Sequence, residues 1–113
     1  MDRLDTYRSV VKQYLQERAD LMNAHPVQGL ETLCLFDEAH DVYLVLNIGW
    51  RDRKRANYTT LLVRIRDNKI WVEEDGTEEG FANVLTAAGI PKSDIVLAFN
   101  PPDLRYLSQY AVA

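Results

Sequence analysis

The chain of 113 residues is 47% hydrophobic and 27% charged, with a formal net charge of −4 at pH 7. This composition indicates one ordered domain over residues 1–113. The negative charge disfavours a dedicated nucleic-acid binder, whose surface is usually basic. No apolar run approaches the ~20 residues that cross a bilayer, so we expect no membrane association. The N-terminus shows no secretory signal, and the single cysteine, Cys34, allows no internal disulfide. Both features predict a cytoplasmic protein.

The first predicted element is an amphipathic helix over residues 3–22. Apolar side chains recur at helical spacing from Leu4 to Leu21 with charged residues between them, which indicates that one helix face packs on a core. Pro26 and Gly29 then disfavour continuation, so we expect the helix to end before them.

Strand patterns follow the helix. Short apolar segments predict four strands in antiparallel order, over residues 30–37, 41–50, 58–66 and 69–74. The second of these strands is apolar on both faces, so we expect it to be central and covered on both sides, by helices or by another subunit. Residues 51–57 are predicted to form a charged hairpin loop. Asp67 and Asn68 form a two-residue hairpin tip, since both tolerate the positive φ of tight turns.

The segment 73–91 predicts a strand end, a turn and a second helix. The turn follows Asp75, and Thr77 is the expected cap of a helix over residues 78–88, whose first turn carries the negative charge that a helix dipole favours. The buried stripe of this helix is expected to comprise Phe81, Val84, Leu85 and Ala88. Gly89 favours the left-handed conformation that ends many helices.

A fifth strand is predicted over residues 95–99, and the tail after Pro101 has room for one short helix. No repeat, low-complexity tract or linker interrupts the pattern. The predicted fold class is therefore α+β, an antiparallel β-sheet of about five strands with an N-terminal helix and a second helix before the last strand, in the order α-β-β-β-β-α-β.

Five carboxylates in EEDGTEEG (73–80) raise the question of a metal or catalytic acid site. The segment lacks the alternating oxygen ligands and distal glutamate of a calcium loop, and roles in a turn and a helix start account for its residues. His25 and His40 are isolated in sequence, and Cys34 between two leucines is better interpreted as a buried structural thiol. We therefore predict no catalytic, cofactor-binding or metal-binding residue and no cofactor.

A basic segment contrasts with the acidic balance of the chain. Residues 51–55 hold four positive charges and one negative charge beside Trp50. One interpretation is a solvated hairpin tip; the other is a contact for phosphate or for an acidic protein surface, with Trp50 as an apolar anchor. Arg64 and Arg66 are included because strand alternation places them on one face with Tyr58. The candidate partner or DNA contacts are Trp50, Arg51, Arg53, Lys54, Arg55, Arg64 and Arg66.

Apolar side chains are also expected on the exposed sides of strands 41–50 and 58–66. These side chains are Tyr43, Val45, Tyr58 and Leu62. Two helices would not cover all of this surface, so we expect a homodimer.

Five segments stand in this order along the chain: DRLDTYRSVV at the start, IGW (48–50), KIWVEEDGTEEG (69–80), LTAAGIPKSDIVLAF (85–99) and YAVA (110–113). Together they resemble the XisI family of fdxN-element excision controlling factors, which occurs mainly in cyanobacteria. The resemblance covers essentially the whole chain. The resemblance implies a small α+β protein that acts with a XisH-type partner to control excision of a DNA element by a separate recombinase during heterocyst development. It carries over no catalytic residue.

Three functions follow as hypotheses. The first is a non-enzymatic accessory factor that works through protein–protein contact with a XisH-type protein, in excision or as the regulator of a nuclease-like partner elsewhere. The second is a DNA-binding module that uses the basic loop 51–55, directly or within a recombination complex. The third is an enzyme whose site requires Glu73, Asp75 or a histidine to converge with other polar groups.

Overall fold

The helices and strands follow the predicted order. The computed structural model describes residues 2–25 and 29–113, so the predicted break at Pro26 lies outside the described residues. The elements are α1 (Arg3–Ala24), β1 (Leu30–Asp37), β2 (Val42–Arg51), β3 (Lys54–Arg66), β4 (Lys69–Asp75), α2 (Phe81–Ala87) and β5 (Ile95–Leu97), with 3-10 helices at Lys92–Asp94 and Pro102–Leu107. The short 3-10 helix in the tail confirms the helix for which the sequence left room.

The described residues form a five-stranded sheet in the order β1-β2-β3-β4-β5. Neighbouring strands from β1 to β4 are antiparallel, as predicted, whereas β5 runs parallel to β4 with Ile95 opposite Ile70. The chain returns through α2 between β4 and β5, and such a crossover is the connection that parallel strands require. The α+β class is confirmed, with a sheet that is mixed at one edge.

Helix α1 covers one face of the sheet and supplies much of the core. Its buried side chains recur every four residues and are Tyr7, Val11, Leu15 and Ala19. Tyr7, Val11 and Leu15 join the inward side chains of β2, β3 and β4 in one cluster. Tyr43 and Val45 belong to this cluster and are 0% and 1% exposed. The prediction that these two side chains lie on an exposed side is therefore wrong, because α1 packs on the face that carries them.

An ion pair joins α1 to the start of β2. The Arg8 guanidinium donates to both carboxylate oxygens of Asp41, at 2.8 and 3.0 Å, and the buried Tyr43 hydroxyl donates to the same carboxylate at 2.7 Å. The Arg8 hydrogen bonds hold the pKa of Asp41 below its ordinary value. Burial and then the Asp41 carboxylate raise the pKa of the Tyr43 hydroxyl. The contact between Arg8 and Asp41 orients the helix on the sheet.

A β-bulge interrupts the pairing of β2 with β3. Val45 lies opposite Leu61, whereas Leu46 lies opposite Thr59, so Thr60 is an extra residue in β3. An extra residue shifts the side-chain alternation of one strand relative to its partner. Side chains therefore do not alternate regularly between the two faces along the whole of β3.

The bulge separates side chains that the sequence placed together. Tyr58 lies opposite the buried Asn47 and so shares the helix-covered side of the sheet, while Leu62 and Arg64 pair with residues of the opposite side. The prediction that Tyr58 shares a face with Arg64 and Arg66 is therefore wrong. A pattern of alternation carries no signal for a single inserted residue.

The start of α2 differs from the prediction. The helix begins at Phe81, after Gly80, rather than at residue 78. The Asp75 carboxylate accepts hydrogen bonds from the Thr77 N–H at 2.9 Å and from the Phe81 N–H at 2.6 Å. Asp75 therefore caps the helix from six residues away, and Thr77 is not the cap. The predicted stop is confirmed, since Gly89 has φ of 94° and follows the last turn.

We expect Asp75→Ala to lower the free energy of unfolding by about 2 kcal/mol, since it removes the acceptor for the first N–H of α2 and for the turn before it. Urea unfolding followed by circular dichroism would measure the change. Thr77→Ala is the matched control, with an expected loss below about 0.5 kcal/mol because Thr77 only donates to Asp75. A larger loss for Thr77→Ala than for Asp75→Ala would restore Thr77 as the cap.

Candidate functional site

The basic segment forms the end of a two-stranded β-ribbon rather than a loop. We call residues 50–55 the ribbon end. β2 continues to Arg51 and β3 begins at Lys54, so residues 51–57 do not form the predicted hairpin loop. Asp52 and Arg53 alone make the turn, with φ of 49° and 67°. Positive φ at both central residues is the mark of a tight hairpin turn whose twist matches that of the strands. Strand pairing therefore holds the basic side chains in place.

The ribbon end presents charge beside an aromatic ring. Trp50 lies opposite Arg55, and the Arg55 guanidinium carbon is 5.4 Å from the centre of the Trp50 ring. Trp50 is 57% exposed. Within the part of the chain that the structure describes, none of the basic side chains from Arg51 to Arg55 forms an ion pair. An anion could therefore bind there without displacing an internal carboxylate.

Arg64 and Arg66 are not part of this ribbon end. Arg64 lies opposite Val42, at the other end of β2, about 30 Å along the strand from Arg55. Its Nη1 is 4.0 Å from Glu73 Oε1, while the Arg66 guanidinium stacks 4.6 Å from the Trp71 ring. The structure thus brings together five of the seven predicted contact residues and separates the other two from them.

The acidic stretch and the histidines do not converge. Asp75 caps α2, Glu73 lies near Arg64, and His40 Nδ1 is 2.8 Å from Asp37 Oδ2 in the exposed turn after β1. Glu79 accepts a hydrogen bond from the Tyr14 hydroxyl, which lowers the pKa of this carboxyl. Among residues 2–25 and 29–113 no group of three or more histidines, cysteines or carboxylates is placed to hold a metal ion.

Cys34 lies on the helix-covered side of β1. Its thiol is half-buried and donates to the Leu15 carbonyl of α1 at 3.1 Å. Burial raises the pKa of this thiol above its ordinary value. A raised pKa disfavours the thiolate that nucleophilic chemistry requires, so the local environment suits a structural thiol.

The other side of the sheet carries a surface that the sequence did not single out. We call it the open face, and β1 and β2 contribute side chains to it from opposite residues in the register. Its apolar members on β1, β2 and β3 are Leu33, Leu35, Val42, Leu44, Leu46, Ile48, Trp50 and Leu62. They are half-buried or exposed, while α1 contacts the opposite side. Within one chain only one face of β2 is covered, so the alternative that helices cover both faces is wrong, while cover by another subunit stays a prediction.

A shallow groove of about 720 Å³ lies at one end of the open face. The residues of the open face that line it are Leu35, Asp37, Val42, Leu44 and Arg64. The acids and leucines at every second position of β1, Glu31, Leu33, Leu35 and Asp37, were the available signal for this surface. It was missed because the two apolar faces of β2 could not be told apart without the position of α1.

No helix in the described ranges is both long and apolar enough to span a membrane.

The C-terminal tail packs against the sheet. Arg105 of the 3-10 helix Pro102–Leu107 is buried over Trp71, and Ala111 bridges to Val96 of β5. The tail thus closes the β5 edge and leaves the open face to β1, β2 and β3.

Comparison with known proteins identifies a family and solved structures that are similar to this chain. The family model described as XisI protein matches residues 1–112. A solved structure of a XisI-like protein from Anabaena variabilis ATCC 29413 is similar with a TM-score of 0.90 and 30% identity, over 98% of this chain and 100% of that chain. The fdxN element excision controlling factor XisI from the same organism is similar with a TM-score of 0.86 and 36% identity, over 99% and 100%. None of the curated proteins matches the chain.

Proposed function

Because the chain belongs to the XisI family, we propose that it is a non-enzymatic factor that controls programmed excision of a DNA element through contact with a XisH-type partner protein. The observation that carries this proposal is the similarity, over nearly the whole chain, to a structure described as an fdxN element excision controlling factor. In this proposal the excised element is the fdxN element, and excision accompanies heterocyst development.

The chemistry of the described surface supports a role in protein contact. The open face leaves a contiguous apolar area on three strands, and such areas on soluble proteins commonly mark interaction sites. Burial, and after it a hydrogen bond to a carboxylate, raises the pKa of three tyrosines: Tyr7 with Asp94, Tyr14 with Glu79, and Tyr43 with Asp41. Their raised pKa values need no catalytic explanation.

Co-expression with a XisH-type protein tests the proposal. We expect the tagged chain to retain the XisH-type protein through affinity capture and gel filtration, and to change excision frequency in a reconstituted reaction that contains the element, the recombinase and the partner. A mixture that omits only this chain is the control. Absence of a complex, together with unchanged excision, would contradict the proposal.

Direct DNA contact is a second candidate, which the unpaired cations of the ribbon end favour. We expect the variant with Arg51, Arg53, Lys54 and Arg55 all replaced by alanine to bind duplex DNA at least about tenfold more weakly at low salt, with a shallower dependence on salt concentration. Fluorescence anisotropy over a salt series would measure both. Arg64→Ala with Arg66→Ala is the control, since these cations lie at the other end. Wild-type affinity that is independent of salt would exclude this function.

A further inference from the structure

The open face is organised in three rows of different chemistry. The β1 row has acids at both ends and leucines between them: Glu31, Leu33, Leu35 and Asp37. The β2 row is apolar throughout: Val42, Leu44, Leu46, Ile48 and Trp50. The β3 row has arginines at both ends, Arg55 and Arg64, with Leu62 and two polar residues between them. Acids and bases thus flank the apolar row on opposite sides.

The register aligns the charged ends of the outer rows. Asp37 and Arg64 both lie opposite Val42, one on each side of β2. Glu31 lies opposite Ile48, and Arg55 lies opposite the next open-face residue of β2, Trp50. A rotation of 180° about an axis along β2 therefore exchanges the acidic row with the basic row.

We propose that the open face binds a second copy of this chain, with a two-fold axis along β2. The β2 row of one copy packs on the β2 row of the other. Asp37 then faces Arg64 of the second copy, and Glu31 comes near Arg55 of the second copy, each pair formed twice by symmetry. Two sheets packed in this way keep their strands within about 30° of each other, at about 10 Å separation.

The size of the surface suits such a dimer. Three strands of this length cover roughly 30 Å by 15 Å, and the long side chains at the margins extend that footprint toward the ~800 Å² per partner of standard interfaces. The interface centre would hold leucines and valine with charges at the margins, which is the usual distribution in protein interfaces. The apolar second face of β2 is then covered by the partner copy rather than by a helix.

A charge placed at the centre of the face tests the proposal. Sedimentation equilibrium of the wild type is expected to give twice the 13.0 kDa chain mass. Leu44→Arg is expected to weaken dimerisation at least about a hundredfold, because a charge would be buried without a partner. Leu21→Arg, on an exposed position of α1, is the matched control and keeps the dimer. A monomeric wild type, or a dimer unaffected by Leu44→Arg, overturns the proposal.

Charge reversal tests the orientation of the two-fold axis. Asp37→Arg and Arg64→Asp are each expected to weaken the dimer about tenfold or more, because each places like charges opposite one another. The double variant restores opposite charges in both pairs and is expected to recover most of the wild-type affinity. The Asp37 and Arg64 side chains are 52% and 42% exposed, so we expect these variants to fold even where Leu44→Arg does not. A double variant as weak as the single variants overturns the arrangement along β2.

Experiments can contradict the dimer proposal and the excision proposal independently of each other. Capture of a XisH-type protein by the monomeric Leu44→Arg variant would leave the partner proposal standing and assign the open face to the second copy alone. Loss of capture by a variant with Arg51, Arg53 and Lys54 replaced by alanine, which keeps Arg55 and the dimer, would place the partner on the ribbon end. A wild type that is monomeric by itself and still captures the partner would overturn the dimer and leave the excision proposal standing.

Discussion

Replacing Gly49 by alanine is expected to lower the free energy of unfolding by about 3 kcal/mol or more. A Cβ on Gly49 would lie 1.8 Å from the Gly29 carbonyl oxygen and 3.0 Å from the Leu30 Cα, both backbone atoms that no side-chain rotation can move away. Relief requires the start of β1 to separate from β2, which breaks the hydrogen bond from the Trp50 N–H to the Gly29 carbonyl. Urea unfolding, with the two tryptophans as fluorescent probes, would measure the loss.

Gly89→Ala is the matched control for this prediction. Gly89 has φ of 94°, but a Cβ there would meet no atom within 4 Å. Its expected cost is that of an alanine in the left-handed region, about 1 kcal/mol. The difference between the two variants in the free energy of unfolding measures the cost of the backbone clash. If Gly49→Ala were no more destabilising than Gly89→Ala, the close approach of Gly29 to β2 would be wrong.

Replacing Arg105 by alanine is expected to cost about 3 kcal/mol and to release the C-terminal segment. The Arg105 guanidinium, 9% exposed as a residue, donates to the Asn100 carbonyl at 3.0 Å and the Ala98 carbonyl at 3.1 Å. It also lies 5.6 Å from the centre of the Trp71 ring. Its loss leaves buried carbonyls without donors and exposes the ring. Unfolding curves and the emission wavelength of Trp71 would report both effects.

Arg66→Ala provides the comparison, because Arg66 also stacks on Trp71 but is exposed. We expect it to cost less than about 1 kcal/mol, as exposed cation–π pairs generally do. Arg105→Lys keeps the charge without the planar fork and is expected to recover only part of the lost stability. Equal effects for Arg66→Ala and Arg105→Ala would mean that ring stacking, rather than the buried hydrogen bonds, holds the tail.

Local chemistry made much of the fold predictable. Helical spacing from Leu4 to Leu21 located α1, and the pair Asp67-Asn68 located a hairpin that has positive φ at both residues. Gly89 stopped α2 where its left-handed conformation was expected. Each of these features depends on residues within one turn or one strand, which is the range over which propensity and periodicity act. The order of the first four strands followed from their short connections.

The errors arose where a distant or inserted residue decides the outcome. Asp75 caps a helix that begins six residues later, and the extra residue Thr60 shifts the faces of β3. The ribbon end was mistaken for a loop because residues 51–57, of which the first five are charged, lack the apolar pattern of a strand. They pair nonetheless, since backbone hydrogen bonds in a ribbon do not depend on apolar side chains.

The sequence by itself determined the order of the elements, the α+β class and the family, because these depend on local spacing and on the order of motifs along the chain. Only the tertiary structure decided which face of β2 is buried, where Arg64 lies relative to Arg55, and that Arg105 is buried over Trp71. These outcomes depend on where α1 and the tail pack. Packing brings together residues far apart in sequence, and both faces of β2 are apolar enough to have received the helix.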